Sequence, residues 1–193
     1  YAADILGPAM TAAGGGAIVR PKKEIAIILG LEPEQVRVIA HDVGGNFGTR
    51  NFFYPEFALV CWAARKVGRP VKWTAERTES FLADAHGRDH VTHAELALDK
   101  DGKILARKCE IFWNGGAYAD IGPRVSQKSG FTAPGPYDID NVKVDSYELY
   151  TNLVPAAAMR GFGIPQLVWA YESHTDMIAR GIGVDIDPQR IAE

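Results

Sequence analysis

Apolar residues recur along this chain at two spacings, and the spacing changes wherever glycine, proline or aspartate punctuates it. From Pro21, the run Lys22-Lys23-Glu24-Ile25-Ala26-Ile27-Ile28-Leu29 ahead of Gly30 predicts a short helix, with proline in its first turn and glycine just past its end. Val36, Val38 and Ala40 then alternate with Arg37, Ile39 and His41, predicting a strand through Asp42-Val43 into a glycine-rich loop. Helical spacing returns from Glu56 to Val67, with Arg65 and Lys66 in the last turn and Gly68 as the stop. Arg69 to Glu76 reads as a strand and Glu76 to Phe81 as a turn of helix. Period-two alternation from His90 to Ile111, on both sides of Asp99-Lys100-Asp101-Gly102, predicts a hairpin. A further strand uses Val142, Val144, Tyr147 and Leu149, and a last helix is expected from Pro165 to Arg180, ended by Gly181. Residues 1–20, with Gly7-Pro8 and Gly14-Gly15-Gly16, read as a poorly ordered loop. These elements, without regular βαβ alternation, predict an α+β fold with helices packed on mixed or antiparallel sheets.

Composition narrows the function classes. A chain of 193 residues, 47% hydrophobic and 23% charged, can bury a core of its own. A net charge of −3 with no Lys/Arg run argues against a nucleic-acid partner. No apolar run is long enough for a membrane span. The start, Tyr1-Ala2-Ala3-Asp4, lacks both a secretory pattern and an initiator Met, and reads as a segment of a longer polypeptide. Cys61 and Cys109 sit in apolar patterns and read as small buried hydrophobes, and with no cysteine-rich run an iron–sulfur cluster is not expected here. His86, His90 and His93 cluster in sequence. His90 and His93 nonetheless face opposite sides of a strand, and no cysteine or carboxylate spacing completes a zinc set. Nucleophile-elbow and P-loop motifs are missing, so neither an α/β-hydrolase nor a P-loop nucleotide site has local support.

Two stretches stand apart in character. Ala156-Ala157-Ala158-Met159-Arg160-Gly161-Phe162-Gly163 places one arginine and one phenylalanine among residues with almost no side chain. Gly44-Gly45-Asn46-Phe47-Gly48-Thr49-Arg50-Asn51 repeats that composition. Small residues let backbone approach a guest closely, and a planar, permanently charged guanidinium suits an anionic or oxo-bearing group. The two loops read as two walls of one site.

GGNFGTR, NFFYPE, GRPVKW, GRDH and AAAMRGFGIPQ, in this order and spacing from about Val36 to about Arg180, resemble the molybdenum-cofactor-binding large subunit of the xanthine dehydrogenase and aldehyde oxidase family. The resemblance implies a molybdopterin-binding domain over residues 21–193, after a diverged lead-in at 1–20, with a second cofactor-binding half lying outside this chain. It implies that Gly45, Phe47, Gly48, Arg160 and Gly161 contact the molybdopterin, possible also in its cytosine dinucleotide form, with no direct protein ligand to the metal. Arg160 would stabilise negative oxygen, and Asn51, Arg88 and Phe162 would shape the substrate pocket. From the residues alone, Phe47 and Phe162 read equally as core aromatics, and Arg88 as a salt-bridge partner of Asp89 or Glu79.

The implied reaction is hydroxylation of an aldehyde or N-heteroaromatic C–H with oxygen from water. Electrons would leave through iron–sulfur clusters and FAD carried on partner subunits. Asn51 stands where purine-oxidising relatives carry a glutamate, which makes xanthine a poorer candidate, because a neutral amide cannot stabilise charge developing on the ring. Gly16 stands where many relatives have a glutamine. The glutamate that acts as base in the family matches none of the glutamates here, so the isolated chain is expected to be inactive. A carbon monoxide dehydrogenase reading is disfavoured because those relatives have a cysteine in the loop that here reads Met159-Arg160-Gly161-Phe162-Gly163. A non-catalytic assembly module of the same fold is the alternative from another class. The expected compartment is the cytoplasm, with the periplasm as second choice.

Overall fold

The computed structural model describes residues 3–6, 16–39, 45–49 and 52–184. The chain divides into two compact units, Tyr1–His86 and Gly87–Glu193. Each contains its own sheet.

In the first unit, β1 (Ala3–Leu6) and β2 (Val71–Thr74) form a two-stranded parallel pair, Ala3 opposite Val71 and Leu6 opposite Thr74. Helix α1 (Gly16–Leu29) packs on α2 (Pro55–Val67). The loop expected over residues 1–20 therefore contains β1 and the first residues of α1. Pro21 lies inside α1 instead of opening it, which deprives the Ala17 carbonyl of its helical donor but does not stop the helix. Gly30 ends α1 at φ 64°, donating to Ile27 O at 3.3 Å while Leu31 N donates to Ala26 O at 2.9 Å. Gly68 ends α2 in the same left-handed way, as its sequence predicts. Ile25, Ala26, Phe57, Val60 and Ala64 are buried, whereas Ile27, Ile28, Leu59 and Trp62 are exposed. The strand expected from Val36 is not formed over its described part. Residues 36–39 keep the alternation of half-buried and exposed positions without a ladder, and residues 40–44 lie outside the described residues. The turn of helix at 76–81 is α3 (Arg77–Ala83), opened by a capping box between Glu76 and Glu79.

The second unit is built on a three-stranded mixed sheet in the order β3 (His90–Leu98), β4 (Ile104–Gly116), β5 (Asn141–Tyr150). The predicted hairpin is present. Asp99 Oδ1 accepts from Asp101 N and Lys103 N, each at 2.9 Å, and Gly102 takes φ 83°. β5 joins β4 in parallel, so one crossover connection is required, and α4 (Gly122–Thr132) supplies it. No periodicity predicts α4, because its face toward the core consists of Gly122, Val125, Ser126 and Ser129, small residues with little hydrophobic signal. Trp113 Nε1 donates to Ser146 Oγ at 3.0 Å, and that hydroxyl donates to Ser126 O at 3.1 Å, linking β4, β5 and α4. Helix α5 (Ile164–Ile182) runs on through Gly181 and ends at Gly183, φ 71°, two residues beyond the expected stop. His90 stacks on Trp113 and His93 meets Phe112 edge-on, so the two histidines take opposite faces of β3, as their spacing predicts.

Ile104, Cys109, Ile111, Trp113, Ala133, Tyr137, Leu167 and Tyr171 form the core of this unit. Among them lies a buried cation, Arg107, only 2% exposed. Its Nη1 donates to Pro134 O at 2.9 Å and Ala133 O at 3.3 Å, and Nη2 donates to Thr175 Oγ1 at 3.0 Å. The guanidinium also lies 4.8 Å from the Tyr137 ring centre and 5.2 Å from that of Tyr171. Burial pushes its pKa down, and the aromatic faces and carbonyls compensate for lost water. Arg107→Ala strands two carbonyls, while the Thr175 hydroxyl keeps its bond to Tyr171 O, and is expected to cost at least about 3 kcal/mol in urea denaturation followed by tryptophan fluorescence.

Burial, and for His174 also the Arg107 charge, pushes His90 and His174 below their ordinary 6.5. The folded state therefore binds fewer protons than the unfolded one. This contribution to stability is present above about pH 6.5 and is lost on acidification. Thermal melts should show a lower Tm at about pH 5.5 than at about pH 7.5, with a smaller difference in His174→Gln. An equal difference in the variant would assign the pH dependence to other groups.

Candidate functional site

Each of the glycine–phenylalanine loops belongs to its own unit. In the first, Phe47 has φ 53° and Gly48 φ 116°. The Phe47 ring folds back over Gly45, and a Cβ there would force the exposed ring to move. Asn46 Oδ1 accepts from Gly48 N at 3.1 Å and closes the turn locally. Phe47 is itself 65% exposed, not a core plug. Behind the loop, Tyr54 Oη donates to Thr49 O at 2.9 Å and accepts from Ala85 N at 3.1 Å. That buried phenol ties the loop to the start of α2 and the end of α3.

In the second unit, the stretch from Ala156 begins buried and rises to the surface. Ala156, Ala157 and Ala158 are at most 4% exposed, whereas Met159 and Arg160 are exposed. Gly161, Phe162 and Gly163 all have positive φ, at 99°, 58° and 88°. A Cβ on Gly161 would lie 2.5 Å from Pro165 Cδ, and one on Gly163 would lie 3.0 Å from Val125 Cγ1. Both glycines are thus demanded by dihedral and by space. Phe162 N donates to Met159 O at 2.7 Å and Ile164 N to Gly161 O at 3.2 Å, turning the chain directly into α5. The half-buried Phe162 ring has Lys128 Nζ at 5.8 Å from its centre.

Three non-glycine residues among the described ones have positive φ, and two are the phenylalanines of these loops; Asp120 is the third. A left-handed phenylalanine costs about 1–3 kcal/mol and persists only where its surroundings enforce it. That strain recurs in both loops. Arg160, exposed beside the amino end of α5, makes no hydrogen bond or ion pair among the described residues. A permanent, exposed guanidinium fits an anionic or oxo-bearing group.

Arg88 is placed differently from the sequence expectation. Its partner is Glu148 on β5, not Asp89 or Glu79, and the residue is 4% exposed beneath the Arg160 loop. Its Nη2 donates to Ala156 O at 3.0 Å and Ala157 O at 3.1 Å. A side chain so engaged does not present itself to a substrate. Asn51 and the other residues at 40–44 and 50–51 lie outside the described residues.

Sequence reasoning missed Glu148, Tyr54 and Gly122, because each acts through a partner distant in sequence. A Cβ on Gly122 would collide with the Glu148 carboxylate and come within 2.8 Å of Arg88 Nη1, so that glycine makes room for the ion pair. The first unit also holds a cavity of about 200 Å³ lined by Tyr54, Glu56, Trp73, Glu79, Leu82 and Asp84 among others. None of its lining residues was predicted to be functional. No cluster of His, Cys, Asp and Glu suited to a metal ion occurs among the described residues, and none of the described helices is long and apolar enough to cross a membrane.

A mixed sheet with helices packed on it defines an α+β domain. The family model of the molybdopterin cofactor-binding domain matches residues 17–192, and the chain belongs to that family. This bears out the resemblance read from GGNFGTR to AAAMRGFGIPQ. The chain is 36% identical over 164 residues to the gamma subunit of the 6-hydroxypseudooxynicotine dehydrogenase complex of Paenarthrobacter nicotinovorans, covering 84% of this chain and 21% of that protein. It is 34% identical over 164 residues to the nicotinate dehydrogenase large molybdopterin subunit of Eubacterium barkeri, covering 84% and 38%. The crystal structure of quinoline 2-oxidoreductase from Pseudomonas putida 86 superposes with a TM-score of 0.81 at 28% identity, over 91% of this chain and 23% of that one. The chain thus spans well under half the length of these relatives.

Tyr54→Phe removes one hydroxyl and leaves Ala85 N–H and Thr49 O without it. The expected cost is about 1–3 kcal/mol, with faster amide exchange at Ala85 and over residues 45–49. Unchanged exchange would show that the phenol does not hold the loop.

Proposed function

We propose that this chain is part of a molybdenum hydroxylase acting on an N-heteroaromatic C–H, with an aldehyde as the alternative substrate class. The observation that carries the reading is the Arg160 loop, with an open guanidinium beside three consecutive positive-φ residues at the amino end of α5. The names of the nicotinate and quinoline relatives support the heteroaromatic class.

When bound, the cofactor supplies two-electron oxidation of the substrate carbon with oxygen from water. The residues of this chain bind and orient. Gly45, Phe47, Gly48, Arg160 and Gly161 would hold the pterin-borne group, with the Arg160 guanidinium available to donate to negative oxygen. Phe162 offers a flat face to an aromatic ring. Asn51 is assigned to the heteroatom of that ring, as donor or acceptor. The base that takes the proton belongs to a part of the longer protein outside these residues. An iron–sulfur subunit and an FAD subunit are the proposed partners, the cytosine dinucleotide the proposed alternative form of the pterin, and the cytoplasm the proposed compartment.

A non-catalytic assembly module is the second reading, favoured by Gly16, the first residue of α1, at the position where the family resemblance implies a glutamine in many members. The full-length protein purified with its partner subunits is expected to hold near-stoichiometric molybdenum and pterin, measured by elemental analysis and by pterin fluorescence after oxidation. Folded protein without either, from a host able to make the cofactor, would leave the assembly reading. In the loaded protein, Arg160→Ala should keep its metal and lose about 10²–10³-fold in kcat. Undiminished turnover would remove Arg160 from the chemistry.

A further inference from the structure

Both ends of the Arg160 loop are fastened to a single residue. On the entering side, Ala156 O and Ala157 O accept from Arg88 Nη2 at 3.0 and 3.1 Å. On the leaving side, Gln166 Nε2, in the first turn of α5, donates to Arg88 O at 3.0 Å. Between these anchors the chain passes over Gly87, where a Cβ would lie 3.2 Å from that of Met159, so the Gly87-Arg88 backbone is the floor of the loop. A third tie, Ala156 N to Gly115 O at 3.0 Å, leaves little freedom before Met159.

Arg88 is in turn oriented by Glu148, whose Oε1 accepts from Nη1. The acid reaches it from β5 across the space kept open by Gly122. Burial pushes Glu148 up and Arg88 down, and the charge of each opposes that shift in the other. A lysine here would supply the charge but not the two-carbonyl fork, because the planar guanidinium can point one nitrogen at the acid and the other at the loop. A buried ion pair is a weak source of stability compared with apolar packing. What this one secures is backbone position.

We propose that Arg88, oriented by Glu148, is the positioning residue of the Arg160 loop: it fixes the backbone from Ala156 to Gly163 and does not itself contact substrate. The proposal rests on the role given to Arg160 above. Displacing a reacting group by about 1 Å can cost about 100-fold in rate. The effect of losing Arg88 therefore falls on kcat and not on substrate affinity.

The test uses the full-length protein with its partner subunits. In Arg88→Lys, hydrogen exchange at the Ala156, Phe162 and Ile164 amides is expected to rise about tenfold, kcat to fall about 100-fold and KM to stay within about twofold. Arg88→Met combined with Glu148→Gln removes the buried charge altogether. This pair should melt at a higher temperature than Arg88→Met alone while kcat stays low, because the carbonyl anchors are still missing. Lys108→Ala, at an exposed ion pair with Glu95, should change none of these. Higher KM at unchanged kcat would make Arg88 a substrate contact, and unchanged exchange over 156–164 would show that it does not hold the loop; either result overturns the proposal. If the wild-type protein holds no molybdenum or pterin, the functional reading fails, but the exchange comparison still decides the anchoring because it needs no turnover.

Discussion

The second unit depends on keeping two guanidinium groups out of water. Arg107 and Arg88 are 2% and 4% exposed, and each sits where chain segments remote in sequence converge. Burying a charge costs several kcal/mol unless it is paired and hydrogen-bonded; Arg88 meets this at both Nη atoms, while its Nε has no hydrogen-bond partner among the described residues. Arg107 fixes the end of α4 and the middle of α5 against β4 through two carbonyls, a threonine hydroxyl and two tyrosine rings. Arg88 fixes the Arg160 loop against β5. The two work in series: the first holds α5 to the sheet, and the second seats the loop from which α5 springs.

That arrangement explains how a strained loop can be affordable. Positive φ at Phe162 is sustained because the alanines before it are buried and tied down, while Pro165 and α5 confine the residues after it. Alanine and glycine are needed on the inward side, where backbone lies against backbone. Arginine and methionine are permitted only at the crest, where the chain reaches solvent. In the first unit the turn at Phe47 follows the same logic with different means, an Asx turn in front and the Tyr54 hydroxyl behind. A left-handed phenylalanine is thus held by different local contacts in the two loops.

Much of this was legible in the chain itself. Helices α2 and α5 and the β3–β4 hairpin follow from local rules, because apolar periodicity, glycine stops and an Asp-Gly turn act within a few residues of one another. The two loops announced themselves by composition, since glycine flanking a lone aromatic or arginine has few purposes other than close approach. By contrast, the extent of α1 through Pro21, the crossover helix α4 and the missing ladder at 36–39 were not predictable locally. They depend on what packs alongside: α4 is rich in glycine and serine and is helical because its small face fits between β5 and α5.

The sequence alone determined the family, the α+β class and the identity of the loop residues, because those rest on side-chain types and short spacings. Only the tertiary structure decided what Arg88 does. A charged residue ahead of a strand reads equally as a surface ion pair or a substrate contact, and its neighbours Asp89 and Glu79 looked like natural partners. The actual partners, Glu148, Ala156 and Ala157, are 60 to 69 residues away along the chain. Hydrogen bonds of that range leave no periodic trace, so their geometry exists only once the sheet, the crossover helix and the loop have come together.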